Sequence, residues 1–234
     1  MPAADQHIVV TGANRGIGLE LCRTALAGGA RVEATVRDPA GAAALTALGG
    51  TLAVHAADVT EPASLATAAA AIGGPVNLLV CNAGQYRGRG RLGDPDFGPD
   101  DWSAVLATNV AGVYFTVEAF LPALRAARAA GRGAAIAIIS SQMGSSARAP
   151  GGSYIYRASK AAATNLARNL AADLAPEGIA VGAYHPGWVS TDMGGTSAPV
   201  TPRASAEGLM QRFARLTPET TGVFEDYLGT PMAY

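Results

Sequence analysis

Two rhythms of apolar positions alternate along this 234-residue chain. Short apolar or β-branched runs at 7–11, 32–36, 51–56, 76–81, 134–139, 180–184 and 223–224 have the length of strands, and 134–139 is apolar throughout, as in a strand covered on both faces. Between them, apolar residues recur every three to four positions. Such stretches run through Ala27, onward from Pro62, across 99–130 with Leu106, Val110, Phe115 and Val117, and past Ala163, Leu166 and Leu170. Strand alternating with helix predicts an α/β fold: one doubly wound parallel sheet of about seven strands with helices on both faces. A single domain accounts for residues 1–234, with no second core. Gly, Ser, Thr and Pro dominate 189–203, so a mobile lid with a short helix after it is expected around 188–215.

Composition narrows the function classes. Hydrophobic residues make up 49% of the chain and charged residues 15%, which predicts apolar surface buried between subunits, on the apolar positions of the 99–130 helix. No apolar run approaches the ~18 residues of a membrane span, and the polar start at 1–6 enters a strand directly, so neither membrane nor secretory signal is expected and the location is cytoplasmic. A net charge of −1 argues against nucleic acid as a partner. Cys22 and Cys81 read as reduced core residues. His7, His55 and His185 are scattered, and no metal site is expected.

The first strand runs straight into Gly12-Ala13-Asn14-Arg15-Gly16-Ile17-Gly18 and then a helix. Glycines permit a tight turn, and the helix amino terminus attracts a pyrophosphate. The second strand ends at Val36-Arg37-Asp38, where a dinucleotide site reads the adenosine ribose. Arg15 and Arg37 are each ordinary solvated charges taken singly; together, at two places within reach of a 2′-phosphate, they favour NADP(H), with Asp38 as the discordant charge. Asp58 either hydrogen-bonds an adenine or caps the helix near Pro62. Arg87, Arg89 and Arg91 alternate with glycine, which suits a solvated or substrate-edge loop.

Lysine occurs once in the chain, at Lys160, four residues after Tyr156 on the same predicted helix face. A phenol titrates near pH ~10 and is a poor acid at neutrality; a nearby ammonium lowers that value and lets the tyrosine pass a proton either way.

In order, Thr11-Gly12-Ala13-x-x-Gly16-Ile17-Gly18, Asp58-Val59, Asn82-Ala83-Gly84, Asn109, Ser141, Tyr156-x-x-x-Lys160 and Pro186-Gly187 with Thr191 resemble the short-chain dehydrogenase/reductase family over nearly the whole chain. The stretches 140–145, 156–162 and 185–195 are most similar to its branch of C-factor and sniffer-like carbonyl reductases. The resemblance implies a Rossmann-type fold and a catalytic set of Asn109, Ser141, Tyr156 and Lys160. It further implies NADP(H) contacts from Gly12, Asn14, Arg15, Gly16, Ile17, Gly18, Arg37, Asp58, Val59, Asn82, Ala83, Gly84, Tyr156, Lys160, Pro186, Gly187, Val189 and Thr191.

Two positions depart from the family's pattern. Cys81 replaces an asparagine, and Met143 stands where the family's serine falls, so a longer loop assigns the role to Ser141, with Ser140 as the fallback. The implied reaction is NADPH-dependent reduction of a ketone or aldehyde, with Tyr156 as general acid/base, Ser141 on the carbonyl oxygen, Lys160 on the nicotinamide ribose and Asn109 beneath it. The alternative is a dinucleotide-binding signalling protein of C-factor type. Gln142, Met143, Tyr154, Trp188 and Met193 are the expected substrate-pocket walls, and a homodimer or homotetramer is the expected assembly.

Overall fold

A computed structural model describes residues 6–95 and 97–234; the polar start at 1–5 lies outside the described residues. Seven strands, β1 His7–Thr11, β2 Arg31–Val36, β3 Leu52–Ala56, β4 Leu78–Cys81, β5 Ala134–Ile139, β6 Ile179–His185 and β7 Phe224–Asp226, form one sheet in the order β3-β2-β1-β4-β5-β6-β7. All pairings are parallel. Every residue of β1, β4, β5 and β6 is buried, as a sheet covered on both faces requires. The helices are α1 Gly16–Ala27, α2 Ala43–Thr46, α3 Pro62–Ile72, α4 Pro99–Leu106, α5 Gly112–Ala129, α6 Tyr154–Leu174 and α7 Pro202–Phe213.

Alternation along the strands splits the core in two. Ile8, Val10, Val32 and Ala34 pack with Leu21, Cys22, Leu209 and Phe213 on one face. Val9, Leu79, Ile136 and Val181 pack with Val117, Phe120, Leu124 and Ala167 on the other. Each such side chain contributes about 1.5–3 kcal/mol on burial. Strand order reverses between β1 and β4, and their carboxyl ends mark the crevice where ligands bind in open α/β sheets.

Four expectations change. The helix expected across 99–130 is interrupted by a π turn at Ala107–Ala111 that carries Asn109; such turns free backbone groups and recur at functional sites. The Pro99–Ala129 stretch reaches a mean hydropathy of 1.5, as apolar as a membrane span, yet Val113, Val117, Phe120 and Leu124 spend that apolarity on the core. Within the expected lid, α7 buries Ala206, Leu209 and Phe213 in the core beside α1, leaving 188–200 as the irregular part. Two of the scattered histidines meet a carboxylate: parallel register brings His7 Nε2 and His55 Nε2 to 3.3 and 2.7 Å from Glu33, which Arg31 also binds. That carboxylate is buried, and its charge is tolerated because Arg31 and His55 hydrogen-bond it.

Candidate active site

A cleft of about 800 Å³ runs across the carboxyl ends of β1, β2, β4 and β5, within the usual range for small-molecule sites. Its floor is the glycine turn. Gly12 and Gly16 have φ of +65° and +56°, and a Cβ on Gly12 would lie 2.8 Å from Ala83 Cα. Asn82 holds the turn, its amide donating to the carbonyls of Thr11 and Gly12 at 2.9 and 3.0 Å. No side chain caps the amino terminus of α1, so its first N–H groups face the cleft as an anion site.

Arg15, Arg37, Asp38, Asp58 and Val59 line the far end. Asp38 turns its carboxylate onto Ala40 N–H at 3.0 Å, which accounts for the discordant charge. Arg15 reaches across to Asp192 at 2.5 Å, linking the glycine turn to the 188–195 segment. Asp58 caps no helix: its Oδ1 accepts from the Thr60 N–H and hydroxyl in a turn before α3. These features fit a dinucleotide: a glycine cradle, an uncapped helix start, and two basic side chains, Arg15 in the glycine turn and Arg37 where the second strand ends.

The other end of the cleft carries the polar set. Tyr156, Lys160, Asn109 and Ser141 are 8, 5, 1 and 6% exposed. The Ser141 hydroxyl lies near the Tyr156 phenol and accepts the Met143 N–H at 3.1 Å. Ser140, which lines the cleft, has its hydroxyl engaged by Thr164 and the Lys160 carbonyl, which leaves Ser141 as the hydroxyl near the phenol. Lys160 Nζ donates to the Ile139 carbonyl at 2.7 Å. Asn109 accepts the Gln85 N–H and donates to Gln85 O and Ser159 Oγ. Gly84 is the meeting point, since a Cβ there would lie 3.3 Å from Asn109 Oδ1 and 3.7 Å from Lys160 Nζ.

The expected lowering of the tyrosine by the lysine is corrected. Burial pushes the Tyr156 phenol up to about 12, the nearby Ser141 hydroxyl only partly opposing it, and burial brings Lys160 down to about 8. The ammonium sits over the phenol ring, 5.7 Å from its centre, with its donor turned to Ile139, so desolvation outweighs attraction.

Of the remaining expected residues, Asn14, Ile17, Gly18, Asn82, Ala83, Pro186, Thr191 and Met193 line the cleft. Gly187 and Val189 stand behind it, Gly187 with φ of +87° against Tyr227 and Val189 paired to Val200. The other expected pocket walls lie around rather than in the cleft. Trp188 is 52% exposed and donates to the Gly194 carbonyl, Tyr154 meets Phe97 edge to face, and Gln142 accepts from Arg148; Met143 is half-buried in the same short turn. Cys81 is buried in the sheet core with its thiol pushed up to about 12, a structural residue.

The sequence reading missed Tyr86 and Gln85. Tyr86 stacks on Tyr156, ring centres 4.2 Å apart, and Gln85 pins Asn109. Their position directly after Asn82-Ala83-Gly84 was the available signal.

The chain matches the family model described as short chain dehydrogenase over residues 6–200. It belongs to the short-chain dehydrogenase family. It is 39% identical to C-signal of Myxococcus xanthus over 162 residues, 69% of this chain and 94% of that protein. It is 33% identical to the 3-oxoacyl-acyl-carrier-protein reductase of Escherichia coli over 189 residues, 79% of this chain and 74% of that one. Among solved structures, the NADPH-bound carbonyl reductase from chicken fatty liver superposes with a TM-score of 0.88 at 35% identity, covering 98% of this chain and 99% of that one. The carbonyl reductase Sniffer of D. melanogaster gives 0.91 at 31%, with the same coverage. Family membership makes the chain an oxidoreductase acting at CH–OH and C=O groups.

Proposed function

We propose that the chain is an NADPH-dependent carbonyl reductase that converts a ketone or aldehyde to an alcohol. The observation that carries the reading is the gathering of Tyr156, Ser141, Lys160 and Asn109 as one buried set, with Lys160 Nζ 5.7 Å from the centre of the phenol ring. NADPH, when bound, supplies the hydride that adds to the carbonyl carbon. Gly12, Asn14, Gly16, Ile17 and Gly18 would hold its pyrophosphate, Arg15 and Arg37 its 2′-phosphate, Asp58 and Val59 its adenine end. Asn82, Ala83, Gly84, Lys160, Pro186 and Thr191 would hold the nicotinamide end, backed by Gly187 and Val189.

Tyr156 donates its proton to the carbonyl oxygen, and Ser141 donates a hydrogen bond to that oxygen as charge develops on it. Lys160, held on the Ile139 carbonyl 5.7 Å from the centre of the phenol ring, would bind the nicotinamide ribose. Asn109 and Gln85 fix the α4–α5 turn against α6 through Ser159. The 188–200 segment acts as the lid, tied to the glycine turn by Arg15–Asp192 and to the loop after β4 by Arg89 and the Met193 carbonyl.

Both cysteines are free and buried, in keeping with a reducing, cytoplasmic setting. An apolar groove lined by Leu106, Val110, Tyr114, Phe115 and Leu166 fits self-association of the chain, as a dimer or tetramer. A second reading, a signalling protein that binds dinucleotide without turnover, is favoured by the likeness to C-signal over 94% of that protein. NADPH depletion measured against a panel of aldehydes, ketones and quinones separates the two. Turnover supports the reductase, and saturable NADPH binding with no turnover across the panel favours the second reading.

A further inference from the structure

We propose that Tyr86 is a positioning residue for Tyr156, holding the phenol ring in its reactive orientation from the loop that follows β4. The inference rests on the reductase reading above and deepens it.

The two rings lie 4.2 Å apart at an interplanar angle of 23°, a close stack that bars Tyr156 from swinging toward Tyr86. Tyr86 is itself held at both ends. Its hydroxyl meets Ser153 Oγ at 2.8 Å, and the Arg89 guanidinium lies 4.5 Å from its ring centre while donating to the Met193 carbonyl at 2.7 Å.

Ser153 shows that this contact takes precedence over local preference. It occupies the N-cap of α6, where a serine hydroxyl ordinarily accepts a helix N–H, yet it makes no such bond. Its hydroxyl goes instead to Tyr86 and to the Arg89 carbonyl, and its N–H to the Gly90 carbonyl. Its φ of +48° makes it the single non-glycine residue in the left-handed region among the described residues. Such conformations persist where surrounding contacts over-determine them, and they cluster at functional sites. The helix that carries Tyr156 is therefore entered in a strained form whose stabilising contacts come from the Tyr86 loop.

The same loop fixes the opposite side of the site. Gln85 binds Asn109 through its N–H and carbonyl and Thr108 through its side chain. One short segment thus touches the π turn, the start of α6 and the lid. The groups around the phenol are Ser141, Lys160 and Tyr86; burial holds the phenol protonated, and the neighbouring Tyr86 hydroxyl acts electrostatically in the same direction.

The test uses the full chain with a carbonyl it reduces, comparing wild type with Tyr86→Ala, Tyr86→Phe and Tyr86→Leu, each checked for a cooperative thermal transition. Tyr86→Ala is expected to lower kcat about 10- to 100-fold, as a misplaced catalytic group does. KM for the carbonyl and Kd for NADPH should stay within about twofold. Tyr86→Phe, which keeps the stack, retains most of kcat. Removing the ring also lets water reach the phenol, so in Cζ-labelled tyrosine NMR of the protein alone Tyr156 titrates at lower pH in Tyr86→Ala than in wild type. The Tyr156→Phe spectrum assigns that resonance.

Wild-type kcat in a folded Tyr86→Ala or Tyr86→Leu protein overturns the proposal. A loss confined to KM also overturns it, by making Tyr86 a substrate wall instead. Full turnover in Tyr156→Phe would sink the reductase reading rather than this one, and the NMR titration, which needs no turnover, would still decide whether Tyr86 governs Tyr156.

Discussion

The two ends of the cleft are made of opposite materials. At the carboxyl ends of β1 and β2 the chain offers backbone N–H groups, glycines and solvent-exposed charge, with the Arg15 and Asp192 side chains 66 and 77% exposed. At the ends of β5 and β6 it offers side chains that are almost wholly buried, Tyr156, Lys160, Asn109 and Ser141. The first arrangement suits a charged, hydrated ligand whose recognition costs the fold little. The second places ionisable groups where water is scarce, which makes them reactive and destabilising at once. Substitutions at the first end should change affinity with small effects on stability, whereas at the second end activity and stability should move together, and in opposite directions where a charge is buried.

Lys160→Met is the sharpest way to break that comparison. Turnover should fall about 10²–10⁴-fold. Stability at pH 7 should hold or rise by about 1–2 kcal/mol, because the folded state no longer carries a cation that burial disfavours. The sign follows from the depressed value of about 8 against 10.5. Between those values the unfolded chain holds a proton the folded chain has released, so wild-type stability climbs across pH 8 to 10.5 and the penalty is fully present below 8. Denaturant unfolding of both proteins across that range measures it; a variant less stable than wild type at pH 7 would contradict the account.

His185 tests the buried end from the acid side. Burial brings its imidazole down to about 4, Asp226 opposing and Arg148 assisting. Because the folded value lies below the unfolded one near 6.5, the stability it secures is present above 6.5 and is lost as pH falls toward 4. The loss amounts to about 2–3 kcal/mol. In His185→Leu the slope of unfolding free energy against pH between 6.5 and 4 should flatten.

At the cofactor end, Gly18→Ala would place a Cβ 2.5 Å from Asn82 Nδ2 and from the Gly12 carbonyl. The turn must shift, costing about 1–3 kcal/mol of stability. NADPH binding, followed by nucleotide fluorescence, should weaken accordingly. Arg37→Ala should leave the thermal midpoint in place and lower the preference for NADPH over NADH by about tenfold, one charge-assisted hydrogen bond. Arg15→Ala should cost less, since Arg15 already has Asp192 as a partner. An unchanged cofactor ratio in Arg37→Ala would remove the argument for NADP(H).

The fold was legible because each strand is a closed apolar run. β1 and β5 begin and end where the pattern places them, and the remaining strands differ at their ends by one or two residues. The glycine turn and the Tyr156–Lys160 pair were legible because local spacing alone puts them on a turn and a helix face. Three features were not. The π turn at Asn109 is invisible to a period of three to four, since it inserts one residue into an otherwise continuous apolar helix. The His7–Glu33–His55 cluster depends on register between strands, which no single segment encodes. Tyr86 depends on the tertiary meeting of the β4 loop with the start of α6, and its trace in the sequence was its place just after Asn82-Ala83-Gly84. The direction of the Tyr156 shift was misjudged for a related reason: spacing shows which groups are neighbours, whereas burial, which dominates here, is set by the whole fold.

The measurement that bears most directly on the central claim is hydride transfer by Tyr156→Phe, followed as NADPH consumption in a single turnover with a carbonyl that wild type reduces, beside NADPH binding to the same protein. The account predicts that transfer falls by about 10²–10⁴-fold while Kd for NADPH stays within about twofold. Transfer at the wild-type rate in the variant would contradict it.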